Sequence, residues 1–192
     1  NTRFNHKLEE LKITDCKNSA DISLTELQAG KTVRLGGVVG ICRAQGTDIS
    51  ECANEGDLTI NASGVNSCIG GICGFLDIWA DYKDNDPLVL YKSENHGTVK
   101  LITSVDNGND RLVGGIVGKQ SLYTKISECT NHGSVINSSK RVAYCGGVVG
   151  KSDAWVYKCK NNGSVTVTDA YTTGMAHVGG IVGYLDDANA QY

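Results

Sequence analysis

Along the chain, short runs of β-branched and aliphatic residues alternate with polar ones, and each run ends within a few positions at glycine or asparagine. Ile126-Ser127-Glu128-Cys129, for example, is followed by Asn131 and Gly133 and then by Val135-Ile136-Asn137. Alternation with a period of two is the mark of a strand with one buried face. No apolar spacing of three or four residues survives for three turns between the glycines, which excludes helical repeats. Three strands per unit are predicted: one around GGIVG, one around the Ile-Ser-x-Cys run, and one after Asn-x-Gly, in LTI (58–60), VKLI (99–102), VIN (135–137) and VTV (165–167).

The same order of residues returns again and again. GGVVG (36–40), GGICG (70–74), GGIVG (114–118), GGVVG (146–150) and GGIVG (179–183) recur at about 33 residues, one unit being longer. Between them lie ISECANEGDL (49–58), LYKSENHGTV (90–99), ISECTNHGSV (126–135) and VYKCKNNGSV (156–165), with a weaker copy, ITDCKNSADI (13–22), ahead of the first Gly-Gly. Stacking such units puts each strand in register with its copy in the next coil. We therefore expect an all-β solenoid of about five coils, a right-handed parallel β-helix, formed by residues 1–192 as one repeat domain. Its columns read Leu35, Ile69, Val113, Cys145, Val178; Val39, Cys73, Val117, Val149, Val182; and Cys16, Cys52, Ser93, Cys129, Cys159. Asn18, Asn54, Asn95, Asn131 and Asn161 form a further column, whose amides are expected to bond from coil to coil. Gly56, Gly97, Gly133 and Gly163 close the Asn-x-Gly turns and are expected at positive φ. Fixed residues of the repeat serve the fold, so any local function belongs to the variable ones.

With GGIVG and Asn-x-Gly repeated in this order, the chain resembles GLUG-motif repeats of bacterial surface proteins, which also accompany immunoglobulin-A-specific metallopeptidases. The resemblance spans about residues 13 to 183, departing from the motif at Ser93, at Ala20 and in the enlarged second unit. It implies a secreted or surface-attached segment with no activity of its own, and it carries over no catalytic residue. Both ends fall in mid-repeat, so a piece of a longer protein is expected, with residues 1–12 as an N-terminal cap over the first strands.

Composition narrows this picture. The 192 residues include 24 glycines and one proline, which points to many turns rather than to disorder. A net charge of −3 gives no basic stripe for nucleic acid, and no apolar run is long enough to insert in a membrane. The eight cysteines follow the repeat: four share one position, while Cys73 and Cys145 stand where other units carry valine or isoleucine. Free, buried thiols are expected over disulfides, with a bridge between Cys129 and Cys159 as the alternative. Cys68 and Cys73 do not form a CxxC pair, so no structural zinc is expected.

The candidate binding residues lie in the variable segments. The second unit inserts a loop over residues 75–90, roughly eight residues longer than its counterparts. It brings Trp79 and Tyr82 together with Asp77, Asp81, Asp84 and Asp86. Equivalent segments add Tyr123, Trp155 and Tyr184. Aromatic and carboxylate side chains along one edge suit a glycan or protein contact. Asp81, Asp84 and Asp86 are also oxygen donors of the kind calcium takes, without EF-hand spacing. His96 and His132 recur at one place with Glu55 before and Asn162 after; imidazole and carboxylate stacked there are competent to share a metal, but the position is the x of Asn-x-Gly, which any polar residue fills, and a solvated turn is the expected reading. No cofactor and no catalytic constellation is expected. The expected role is a non-catalytic adhesin or stalk, secreted or on a bacterial surface, meeting a host glycan or protein. The alternative is an accessory spacer that serves another domain of the same polypeptide in a larger secreted enzyme such as a metallopeptidase.

Overall fold

The computed structural model describes residues 11–25, 30–44, 46–62, 65–78, 87–103, 110–139, 143–168 and 175–186. These form twenty-five strands and no helix, arranged in five parallel sheets of five strands each. Every coil contributes one strand to every sheet. In the fourth coil the strands are Thr124–Ser127, Thr130–Asn131, Val135–Ser139, Ala143–Gly146 and Val149–Ser152, and we number the sheets 1 to 5 in that order. The protein is therefore a parallel β-helix of five coils, in the register that the columns predict: Leu35, Ile69, Val113, Cys145 and Val178 pair in sheet 4, and Val39, Cys73, Val117, Val149 and Val182 in sheet 5. Each fully buried Ile or Leu of such a column contributes about 1.5–3 kcal/mol.

Five strands per coil, rather than three, follow from two corners that alternation does not reveal. Gly-Gly is not the middle of a strand. It bends the chain from sheet 4 into sheet 5, as at Gly114-Gly115 between Arg111–Gly114 and Val117–Gln120. A second corner separates sheets 1 and 2, where Asp15, Glu51, Lys92, Glu128 and Lys158 adopt left-handed φ of 49 to 55°. The residue after each is the Cys column. Its side chain donates back across the corner, from Cys52 Sγ to Ser50 O at 3.1 Å and from Cys129 Sγ to Ser127 O at 3.2 Å. Ser93 does the same with Oγ, to Tyr91 O at 3.1 Å. A short side chain with one donor is what the position requires, which is why serine replaces cysteine there.

The apolar interior is split in two. One cluster, including Ile49, Leu76, Leu90 and Ile126, fills the space among sheets 5, 1 and 2; the other, including Leu58, Ile60, Leu101 and Val113, lies between sheets 3 and 4. Between the two, the asparagine column meets the Gly-Gly corner. Asn18, Asn54, Asn95 and Asn131 each donate from Nδ2 to Oδ1 of the asparagine in the next coil, at 2.8 Å in every case. The same Nδ2 groups also donate to the carbonyl two residues on, closing the turn at Ala20, Gly56, Gly97 and Gly133. A Cβ on Gly115 would overlap the Asn131 amide and the Gly147 carbonyl, so the corner reaches the ladder only because that position carries no side chain.

The Asn-x-Gly glycines differ from expectation. Gly56, Gly97, Gly133 and Gly163 do not have positive φ; among the described glycines only Gly30 and Gly46 do, at 80° and 64°. What excludes a side chain is the neighbouring coil. A Cβ on Gly133 would run into the Gly97 carbonyl, and one on Gly163 into that of Gly133.

All eight cysteines are free thiols, including Cys129 and Cys159. Cys42, Cys52, Cys68, Cys73, Cys129 and Cys145 are buried, whereas Cys159 is half-buried and Cys16, at the first coil, is exposed. Burial pushes Cys68 and Cys145 up to about 12 and raises Cys73 further. We expect a thiol reagent to titrate eight groups in denatured protein, and in native protein to modify exposed Cys16 and half-buried Cys159, whose thiol the hydrogen bond from Cys129 lowers to about 7, well before the buried six. Prompt reaction of the buried six would remove the cysteines from the core.

Candidate functional site

The aromatic edge forms where sheet 5 hands over to sheet 1. Tyr123 sits at this junction in the third-to-fourth coil passage, with a left-handed φ of 61° and 48% of its surface exposed. Its turn is closed by Thr124 Oγ1, which donates to Ser121 O at 2.6 Å. One coil on, Trp155 opens the strand Trp155–Tyr157 beside Lys125 and is 71% exposed. Its backbone is held from inside: buried Gln120 donates from Nε2 to Trp155 O at 3.2 Å, and Ser152 Oγ donates to Gln120 Oε1 at 2.8 Å. The indole is thus presented outward from a backbone that the core fixes.

Sheet 1 extends this edge with residues that sequence reasoning did not single out. Tyr157 is 38% exposed, and Lys125 Nζ lies 5.1 Å from its ring centre. The Ser127 hydroxyl and Lys125 both lower the Tyr157 phenol from its usual range. In the third coil Lys92 Nζ lies 5.9 Å from the Tyr91 ring. The signal was the alternation itself: in Leu88–Tyr91 and Trp155–Tyr157 the central Leu90 and Val156 turn inward, so the aromatic residues flanking them turn outward.

Of the remaining candidates, Trp79, Tyr82, Asp81, Asp84 and Asp86 lie outside the described residues. Ile78 and Leu88, the nearest core residues before and after them in sequence, are both packed into the core. Asp77 has a different task from the one expected. It accepts from Arg43 Nε at 2.9 Å and from Ser121 Oγ at 2.7 Å, and so ties three successive coils together. Those bonds occupy the carboxylate in holding the junction in place. Tyr184 does not join Tyr123 and Trp155 either. It projects from sheet 5 toward side chains of sheet 4, with its ring centre 5.0 Å from those of both Tyr144 and His177, under Lys151 Nζ at 5.3 Å. Lys151 in turn pairs with Asp186 at 3.0 Å. The predicted single edge is therefore two separate groups.

His96 and His132 stack face to face with ring centres 4.6 Å apart; Glu94 stands 3.1 Å from His96, and Glu55 lies close enough to interact with its charge. Among the described residues theirs is the one cluster of metal-ligating type. Comparison of the chain with protein-family models, with curated proteins and with solved structures found no match.

Proposed function

We propose that this β-helix is a non-catalytic, glycan-binding segment of a secreted or surface-attached bacterial protein of the GLUG-repeat kind, and that the ligand meets the junction of sheets 5 and 1. The observation that carries this reading is the exposure of Trp155 on a backbone pinned by Gln120, with Tyr157 on the same face of its strand and Tyr123 exposed at the same junction one coil earlier. Rigid aromatic rings provide contact area with few rotors to freeze, and their faces suit the C–H faces of sugar rings. Neighbouring Lys125 adds a donor for ligand hydroxyl or carboxylate oxygens. The Gly, Asn and Cys columns are consumed by the fold, which leaves the edge as the place where one member of the repeat class differs from another.

The test is a glycan array probed with the domain, followed by affinity measurements on the best ligand. Trp155→Ala combined with Tyr123→Ala should reduce affinity by at least about 30-fold, the equivalent of roughly 2 kcal/mol for a hot-spot pair. The β-sheet circular dichroism and the melting temperature should stay close to wild type, because both rings lie outside the two cores. A blank array, or a double variant that binds as tightly as wild type, would overturn the proposal.

A further inference from the structure

Glu94 and His96 flank Asn95, whose amide is turned inward to the ladder, so strand alternation sends the two flanking side chains outward together. Backbone bonds fix the column they occupy: His96 N–H donates to Asn54 O at 2.8 Å and His132 N–H to Asn95 O at 2.7 Å. The two imidazoles lie parallel, within 2°, one from the third coil and one from the fourth. Glu94 Oε2 stands 3.1 Å from His96 Nε2, and one ligand atom from each of Glu94, His96 and His132 lies within 4.8 Å of the others.

We propose that Glu94, His96 and His132 form a surface site for a divalent transition-metal ion of the zinc class. The donor set decides the class. Two imidazole nitrogens and a single carboxylate suit zinc and its borderline neighbours, whereas calcium and magnesium require shells made of oxygen. With metal–ligand distances of about 2.0–2.1 Å, two donors on one tetrahedral ion lie about 3.3 Å apart. The Glu94–His96 pair already stands at that spacing. The exposed His132 ring brings its nitrogen in by a side-chain rotation, and water completes the shell.

The surroundings complement such an ion. Asn162, next in the column, has its amide nitrogen 3.4 Å from His132 Nδ1. Turned end for end, that amide accepts Nδ1–H and leaves Nε2 to the metal, as outer-shell partners of ligating histidines do. On the other side Glu55, bound to Lys17 Nζ at 2.6 Å, adds a carboxylate to the local field. A bound ion would clip the third coil to the fourth on the outer surface of sheet 2.

The test uses the full chain in a Cys16→Ser background, which removes the exposed thiol as a competing zinc ligand and keeps a short donor at that corner. Zinc chloride is titrated into chelator-treated protein by calorimetry, while imidazole resonances are followed by NMR. One equivalent should bind, with His96 and His132 shifting together and His177 unmoved. His132→Asn keeps the fold, since the next coil carries Asn162 at the same place. It should weaken zinc by more than the about 10–100-fold typical of losing an outer-shell partner, and Glu94→Gln, which also removes a ligand, should weaken it by at least about 100-fold. Calcium should leave both rings unshifted. Zinc that moves neither ring or only one, an unchanged affinity in His132→Asn, or equal shifts with calcium would each overturn the site.

Discussion

Gly133→Ala is expected to destabilise the protein by at least about 3 kcal/mol, at the upper end of what overpacking a closed site costs. The added methyl has nowhere to go. It points at the Gly97 carbonyl of the preceding coil, and that carbonyl already accepts from Asn95 Nδ2 at 2.8 Å. Relief requires the two coils to part, which stretches the parallel ladders on either side. A φ-based account of the same glycine would give only about 1 kcal/mol. Gly115→Ala should behave likewise, because its Cβ would enter the Asn131 amide. Gly180→Ala occupies the same place in the last described coil, has no described atom within 4 Å of the built Cβ, and should stay within about 0.5 kcal/mol of wild type. Urea unfolding of the three variants measures this. Equal stabilities for Gly115→Ala and Gly180→Ala would show that the close contact between coils is not what selects glycine.

Asn131→Ala should cost roughly 3–5 kcal/mol. The amide is fully buried and serves three partners: it accepts from Asn95 Nδ2, and donates to Asn161 Oδ1 and to Gly133 O, each at 2.8 Å. Alanine deprives the Gly133 carbonyl of its Asn131 donor and one Asn95 Nδ2 hydrogen of its acceptor, and leaves Asn161 Oδ1 with only the 3.3 Å bond from Gly163 N; a buried unsatisfied group costs about 1–3 kcal/mol. Asn18→Ala removes the first rung, where the side chain is only half-buried and water can replace the lost partner. About 1 kcal/mol is expected there. Similar losses for the two variants in denaturant titrations would mean that the ladder contributes nothing beyond local turn closure.

Much of the fold was legible because stacking makes the sequence redundant. The asparagine column and both aliphatic columns of the Gly-Gly corner could be aligned by eye, since one residue type had to satisfy the same contact in every coil. What escaped was geometry that does not depend on residue type. The left-handed corner tolerates Asp, Glu or Lys, because the bond that holds it comes from the following cysteine or serine. It therefore left no glycine to find. The glycines of Asn-x-Gly were recognised, but for a local reason, when the constraint is the carbonyl one coil away and some 36 residues distant in sequence, as between Gly97 and Gly133. The aromatic edge was legible in part. Aromatic residues in the variable segments did mark Tyr123 and Trp155, yet Asp77 was indistinguishable from a ligand carboxylate until Arg43 and Ser121 appeared beside it. The histidine pair was visible as a column, whereas its third member, Glu94, needed the inward turn of Asn95 to be seen on the same face.

The asparagine ladder gives this molecule an electrical direction. Parallel sheets carry little net dipole across their strands, since successive peptide groups point opposite ways. The five amides do not alternate: from Asn18 to Asn161 every N–H points toward the next coil and every oxygen toward the previous one. Aligned dipoles in a dry interior polarise one another, so each bond strengthens its neighbours. They add head to tail, as peptide groups do along an α-helix. The β-helix thus contains, between its two apolar lobes, a polar filament with its partial positive end in the fifth coil and its partial negative end in the first. An anionic cap is favoured beyond Asn161 and a cationic one beside Asn18.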